Sequence, residues 1–141
     1  MRIECFLDTN VLIYAAMGRL DEPRKFDVAS ALVDSKDFGL SGQVLAEFCV
    51  NAMAQQRGRT PLTETELDLW MGFLGDYPNQ PVDTDLVQMG LAYSRRFRIS
   101  YWDAAILAAA DRLDAPVLYT EDLNHNQLYG SVRVVNPFRP N

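Results

Sequence analysis

One histidine, two cysteines and two lysines stand among 141 residues, and each scarcity closes off a class of chemistry. A zinc site needs several imidazoles or a full set of thiolates, which His125, Cys5 and Cys49 cannot supply. A Ser-His-Asp triad would rest on His125 alone. Both cysteines lie in apolar stretches, where an unpaired thiol behaves as a small hydrophobe, and a reducing cytoplasm suits them. The longest apolar run, Ala104 to Ala110, falls far short of the roughly 18 residues a membrane-spanning helix needs. The opening Met1-Arg2-Ile3-Glu4-Cys5-Phe6-Leu7-Asp8 places an acid inside its apolar segment and has no small-residue cleavage site after it, so a cytoplasmic protein is expected. Excess positive charge is lacking too: nineteen acids against thirteen bases leave a net charge of −6, which argues against a general basic surface for nucleic acid. Eleven of the bases are arginine, however, whose planar fork suits phosphate.

What is present, 48% hydrophobic and 23% charged residues, describes a packed water-soluble core and excludes disorder. No repeat or Pro/Gly/Ser-rich linker divides the chain, which reads as a single domain over residues 1–141. Apolar runs at Arg2 to Leu7, Phe38 to Ser41, Val82, Pro116 to Thr120 and Ser131 to Val135 read as strands. Helical spacing fills Val11 to Met17, Pro23 to about Lys36, about Gln43 to Gln56, a segment opened by the Thr63/Glu66 capping box and ended at Gly75 to Pro78, Thr84 to Phe97, and Ser100 to about Leu113. Strands separated by helices pair in parallel, so the expected fold is α/β: a three-layer sandwich whose central, mostly parallel sheet of about five strands is flanked by helices.

Ligands in such sheets collect beyond the carboxyl ends of the strands. Asp8 follows the first strand, and Glu121 and Asp122 follow the Val117 to Thr120 strand. Asp103 opens a helix whose next seven residues are apolar on every face, so a buried helix carries a charge at its first turn. Glu47 lies to one side of its helix's apolar stripe, beside Asn51. Each acid also has a plain local explanation: Asp8 as a helix cap, Asp103 as half of a capping box with Ser100, Glu47 as a solvated side chain, Asp122 as a loop acid. Gathered in one pocket they would repel one another and raise each other's pKa values, a cost that a hard divalent cation such as magnesium or manganese relieves. The chemistry that follows is phosphodiester hydrolysis, with no histidine required.

The segments Phe6-Leu7-Asp8-Thr9-Asn10-Val11-Leu12, Val44-Leu45-Ala46-Glu47-Phe48, Ser100-Tyr101-Trp102-Asp103-Ala104-Ala105-Ile106 and Tyr119-Thr120-Glu121-Asp122-Leu123 resemble, in order and spacing, the four acidic motifs of PIN-domain ribonucleases. The likeness is greatest to the VapC toxins of bacterial toxin–antitoxin pairs and extends to the closing Val134-Val135-Asn136-Pro137-Phe138. The resemblance implies that Asp8 and Asp103 are the main magnesium or manganese ligands, with Glu47 and Asp122 completing the cluster directly or through water. Thr9, Asn10 and Thr120 would orient carboxylates or water around them. It further implies endoribonuclease action on a narrow set of RNAs, inhibition by a cognate antitoxin that covers the site, and a homodimer. Glu121 beside Asp122 leaves two candidates for the fourth acid, and the number of metals stays open.

For the RNA, Arg95, Arg96 and Arg98 precede Tyr101-Trp102-Asp103, and Arg57 and Arg59 follow the helix that carries Glu47. Arg95 and Arg98 are the candidate phosphate contacts, against the plainer role of satisfying helix carboxyl ends. Tyr101, Trp102 and the Leu67, Trp70, Met71 and Leu74 face read as packing. Two other functions fit the same acids: a non-catalytic PIN-like scaffold binding RNA or protein, and an aspartyl-phosphate phosphatase with Asp8 as nucleophile. The phosphatase would need a second aspartate where Asn10 stands.

Overall fold

The runs Cys5–Leu7 and Phe38–Ser41 are buried at every residue, as strands covered by helices on both faces are. In a computed structural model that describes residues 2–56 and 58–140, β1 (Cys5–Leu7), β2 (Phe38–Ser41), β3 (Asn79–Gln80), β4 (Val117–Tyr119), β5 (Leu128–Tyr129) and β6 (Val132–Val135) form one sheet in the order β3-β2-β1-β4-β6-β5. All pairs are parallel except β5 with β6. Around the sheet lie α1 (Thr9–Met17), α2 (Pro23–Ser35), α3 (Gly42–Met53), α4 (Glu64–Leu74), α5 (Thr84–Phe97) and α6 (Tyr101–Arg112). None of the helices among the described residues is long and apolar enough to cross a membrane.

The helices start where small polar side chains can take up their orphan N–H groups. Asp8 caps α1, Ser41 caps α3, Asp83 caps α5, and Thr63 with Glu66 forms the full capping box of α4. Pro23 sits at the first turn of α2. The α6 run Ala104 to Ala110 is buried throughout. Its small side chains admit a close crossing by α5 at Gly90, where a Cβ would lie 3.2 Å from the Ala105 Cα. Phe6, Leu7, Phe38, Leu40 and Leu118 centre the core, and Cys5 is buried with them, its thiol pushed up to about 12 chiefly by that burial. Both cysteines are free.

Three details differ from the sequence reading. The third strand is Asn79–Gln80, paired with Leu40 and Ser41, while Val82 sits exposed in the loop beyond Pro81, which has no N–H to give a ladder. The sheet has six strands because Leu128–Tyr129 pairs antiparallel with β6 across the two-residue turn Gly130-Ser131, Gly130 having φ +62°. Finally, α3 stops at Met53, and the Leu62 N–H donates to the Ala52 carbonyl at 2.9 Å, so the returning chain covers the helix end.

Strand order reverses between β1 and β4, since β2 and β3 lie to one side and β6 and β5 to the other. The crevice beyond the carboxyl ends of β1 and β4 is the position where open α/β sheets bind ligands. Asp8 and Thr120 are the first residues past those two ends, and the backbone bond from Asp8 N–H to the Tyr119 carbonyl, 3.1 Å, holds them side by side.

Candidate functional site

Asp8 is the fixed point of this crevice. Only 7% exposed, its carboxylate accepts from the Thr9 N–H at 2.7 Å through Oδ1 and from the Thr120 hydroxyl at 2.7 Å through Oδ2. Burial pushes its pKa up to about 6; the two hydrogen bonds oppose the shift, and the charges of Asp122 and Glu47 add to it. Asp8 therefore serves as the helix cap and as a strained acid at once.

Glu47, read from pattern as a candidate for solvation, is turned inward by the Thr9 hydroxyl, which donates to its Oε1 at 2.9 Å. Its Oε2 lies 3.5 Å from the Gln43 amide nitrogen, which also donates to the Trp102 carbonyl at 3.3 Å and so ties α3 to the start of α6. Asn10 donates to the Thr120 Oγ1 at 3.3 Å and to the Asp122 carboxylate at 3.2 Å, and the Asp122 N–H returns to Thr120 at 3.1 Å. Thr120, fully buried, is thus the hub joining Asp8, Asn10 and Asp122. The Asn10 side-chain oxygen, Oδ1, is buried without a hydrogen-bond partner among the described residues.

The two neighbouring acids Glu121 and Asp122 face different surroundings. Asp122 lines a cleft of about 330 Å³ together with Asp8, Thr9, Asn10 and Glu47. Glu121 points elsewhere, accepting from the Tyr14 hydroxyl at 2.7 Å and from Lys25 at 3.1 Å. Lys25 also lies 4.8 Å from the centre of the Tyr14 ring and 5.7 Å from that of Phe138. Glu121 anchors the loop that presents Asp122.

Asp103 does not line this cleft but lies within electrostatic reach of it. Its N–H donates to the Ser100 hydroxyl at 3.1 Å, but the reciprocal bond, from the Ser100 N–H to the Asp103 carboxylate, is not formed among the described residues, so the capping-box reading holds only in half. Its charge reaches Asp122, whose pKa is raised first by burial and then by Asp103 and Glu121. Among the described residues no three His, Cys, Asp or Glu side chains form a ready-made metal cage. Arg95, Arg96 and Arg98 are exposed at the end of α5, where Arg98 adopts the left-handed cap conformation. None of the three lines the cleft. Arg59 does, held at 3.0 Å by Asp21, while Arg57 lies outside the described residues. His125 is remote from these acids in role: its Nδ1 accepts from the Asn136 N–H at 3.0 Å.

Sequence reasoning missed Tyr14, Lys25 and Gln43, whose parts depend on contacts across the fold. It also took Trp102 for packing, whereas that ring is 64% exposed, on the outward side of a helix whose inner residues are alanines.

A model of the PIN domain family matches residues 5–130. No curated protein matches the chain in sequence. Among solved structures, a toxin–antitoxin complex from Klebsiella pneumoniae superposes with a TM-score of 0.67 at 18% identity, covering 94% of this chain and 97% of that one. Mycobacterium tuberculosis VapC20, a toxin that cleaves the sarcin–ricin loop, gives 0.62 at 20% identity over 84% and 89% of the two chains. The FitAcB structure from Neisseria gonorrhoeae gives 0.60 at 20% identity over 96% and 99%. These likenesses establish a shared fold, and with the match over residues 5–130 they make the chain a member of the PIN-domain family.

Proposed function

We propose that the chain is a magnesium- or manganese-dependent endoribonuclease, the toxin of a toxin–antitoxin pair, acting as a homodimer. The observation that carries this reading is the convergence of Asp8, Glu47 and Asp122 on the Thr9, Asn10 and Thr120 network at the switch point of the sheet. The fold neighbours support it, since one is described as a sarcin–ricin loop cleaving toxin and another as a toxin–antitoxin complex.

The donor set fits a hard divalent cation. All the candidate donors are oxygens, a desolvated carboxylate stands among other acids, and the Asn10 Oδ1 has no hydrogen-bond partner among the described residues. Asp8 and Asp103, with Glu47 and Asp122, would hold the ion, directly or through water. A bound cation there supplies Lewis-acid polarisation of a phosphoryl oxygen and neutralises charge on the phosphate. The protein's own groups do the rest. Thr9 and Thr120 fix the rotamers of Glu47 and Asp8, and Asn10 holds Asp122 beside them. With its pKa raised only to about 6, Asp8 is mostly ionised at neutral pH, the form that would hold a cation.

Purified protein incubated with total bacterial RNA and manganese should generate discrete new 5′ ends, absent with EDTA and absent with Asp8→Asn. No new ends from folded protein shown to be free of antitoxin would overturn the nuclease reading in favour of the scaffold.

A further inference from the structure

A second cleft, of about 460 Å³, opens beside the acidic one, and the two share Glu47. The Glu47 carboxylate looks both ways: Oε1 accepts from Thr9 on the acidic side, and Oε2 lies by the Gln43 amide, which lines the other. This second cleft is walled by Val82, Leu86, Tyr101, Trp102 and Ala105, and among the described residues Glu47 is its one charged lining residue. The Tyr101 and Trp102 rings meet edge to face with centres 5.1 Å apart, leaving Trp102 largely open to solvent one residue before Asp103.

A nucleotide joins an anionic phosphate to a flat apolar base with a polar rim. The paired clefts repeat that division: one holds groups that would engage a phosphate through a cation, and the other offers aromatic surface with one amide at its edge. We infer that the Tyr101/Trp102 cleft takes an unpaired nucleobase of the RNA strand whose scissile phosphate lies at Asp8. Trp102 would stack on the base face and the Gln43 amide would read its edge. Stacking suits this protein because it draws no affinity from phosphate neutralisation, which a chain of net charge −6 is poorly equipped to provide. The Gln43 amide is adaptable, since both of its present hydrogen bonds, at 3.3 and 3.5 Å, are long. The inference rests on the nuclease reading above.

The test uses the RNA cut by the parent protein. Trp102→Ala should raise KM about tenfold with kcat within about twofold of the parent, the size of one lost base–aromatic stack. Trp102→Phe should recover most of the KM, and light scattering should show one oligomeric state for all three. An unchanged KM, or a loss confined to kcat, overturns the base pocket and leaves the nuclease reading intact. If Trp102→Ala instead changes the oligomeric state and activity falls with it, the cleft is a protein–protein surface and the inference fails. A parent that cuts no RNA removes the nuclease reading first and the pocket with it.

Discussion

The acidic cleft takes Asp8 and Asp122 from just past β1 and β4, Thr9 and Asn10 from the first turn of α1 and Glu47 from α3, whereas the apolar cleft beside it takes Gln43, Leu86, Tyr101 and Trp102 from the faces of three helices. In the first, Asp8, Thr9, Asn10, Glu47 and Asp122 each have a side-chain atom held by a partner within 3.3 Å, and in the second a large ring stands free. Strand ends joined by backbone bonds give positional accuracy at the cost of desolvating a carboxylate. Helix faces give area and adaptability at little cost. A phosphodiesterase needs both, accuracy at the bond being broken and tolerance where the strand is held.

The comparison breaks most sharply at Asp8. Asp8→Asn should lower kcat about 10³-fold or more, because several kcal/mol of transition-state charge stabilisation depend on the ion it would hold; single-turnover cleavage with manganese measures this. Glu121→Gln, one residue outside the cleft, should lose far less.

Next in size is the stability cost. Folding raises the Asp8 pKa from 3.8 to about 6, so the folded state binds more protons between those values. Metal-free protein is then most favoured below pH 4 with respect to this group, and it loses about 3 kcal/mol as pH rises through 6. Thermal melts in EDTA should show this fall for the parent and not for Asp8→Asn, other groups contributing equally to both. A parent profile that runs parallel to that of Asp8→Asn would contradict the burial account.

Thr120→Val removes the hydroxyl that Asp8, Asn10 and Asp122 share, and it should weaken manganese binding and kcat about 10- to 100-fold. Lys25→Met, which releases Glu121 from one side, should cost only about threefold in kcat, read as a loosened Asp122 loop; Tyr14 still holds Glu121. Smallest is the effect of Arg95→Ala combined with Arg98→Ala. Exposed and outside both clefts, these side chains should shift KM about twofold and flatten its salt dependence, without touching kcat.

Much of this comparison was legible in the chain. Asp8 and Asp122 could be placed because a residue's position after a strand follows from apolar runs and turn residues, and the buried α6 because alanine fills every face. The hairpin was missed although Gly130-Ser131 between apolar residues signals a two-residue turn, because β5 has only two residues. Val82, read as a strand, lies just past Pro81, whose missing N–H leaves the ladder at Asn79–Gln80. The inward turn of Glu47, the diversion of Glu121 to Tyr14 and Lys25, and the exposure of Trp102 depend on how separate elements meet, which no periodicity encodes.

The central claim is that the cleft organised by Asp8 holds a divalent cation. Calorimetric titration of purified protein with manganese at pH 7.5, for the parent, Asp8→Asn and Glu121→Gln, tests it without reference to any RNA. The account expects binding by the parent and by Glu121→Gln, and no binding by Asp8→Asn. Binding by Asp8→Asn as tight as that of the parent, or none by the parent up to about 10 mM manganese, where a millimolar site would be mostly filled, would contradict it.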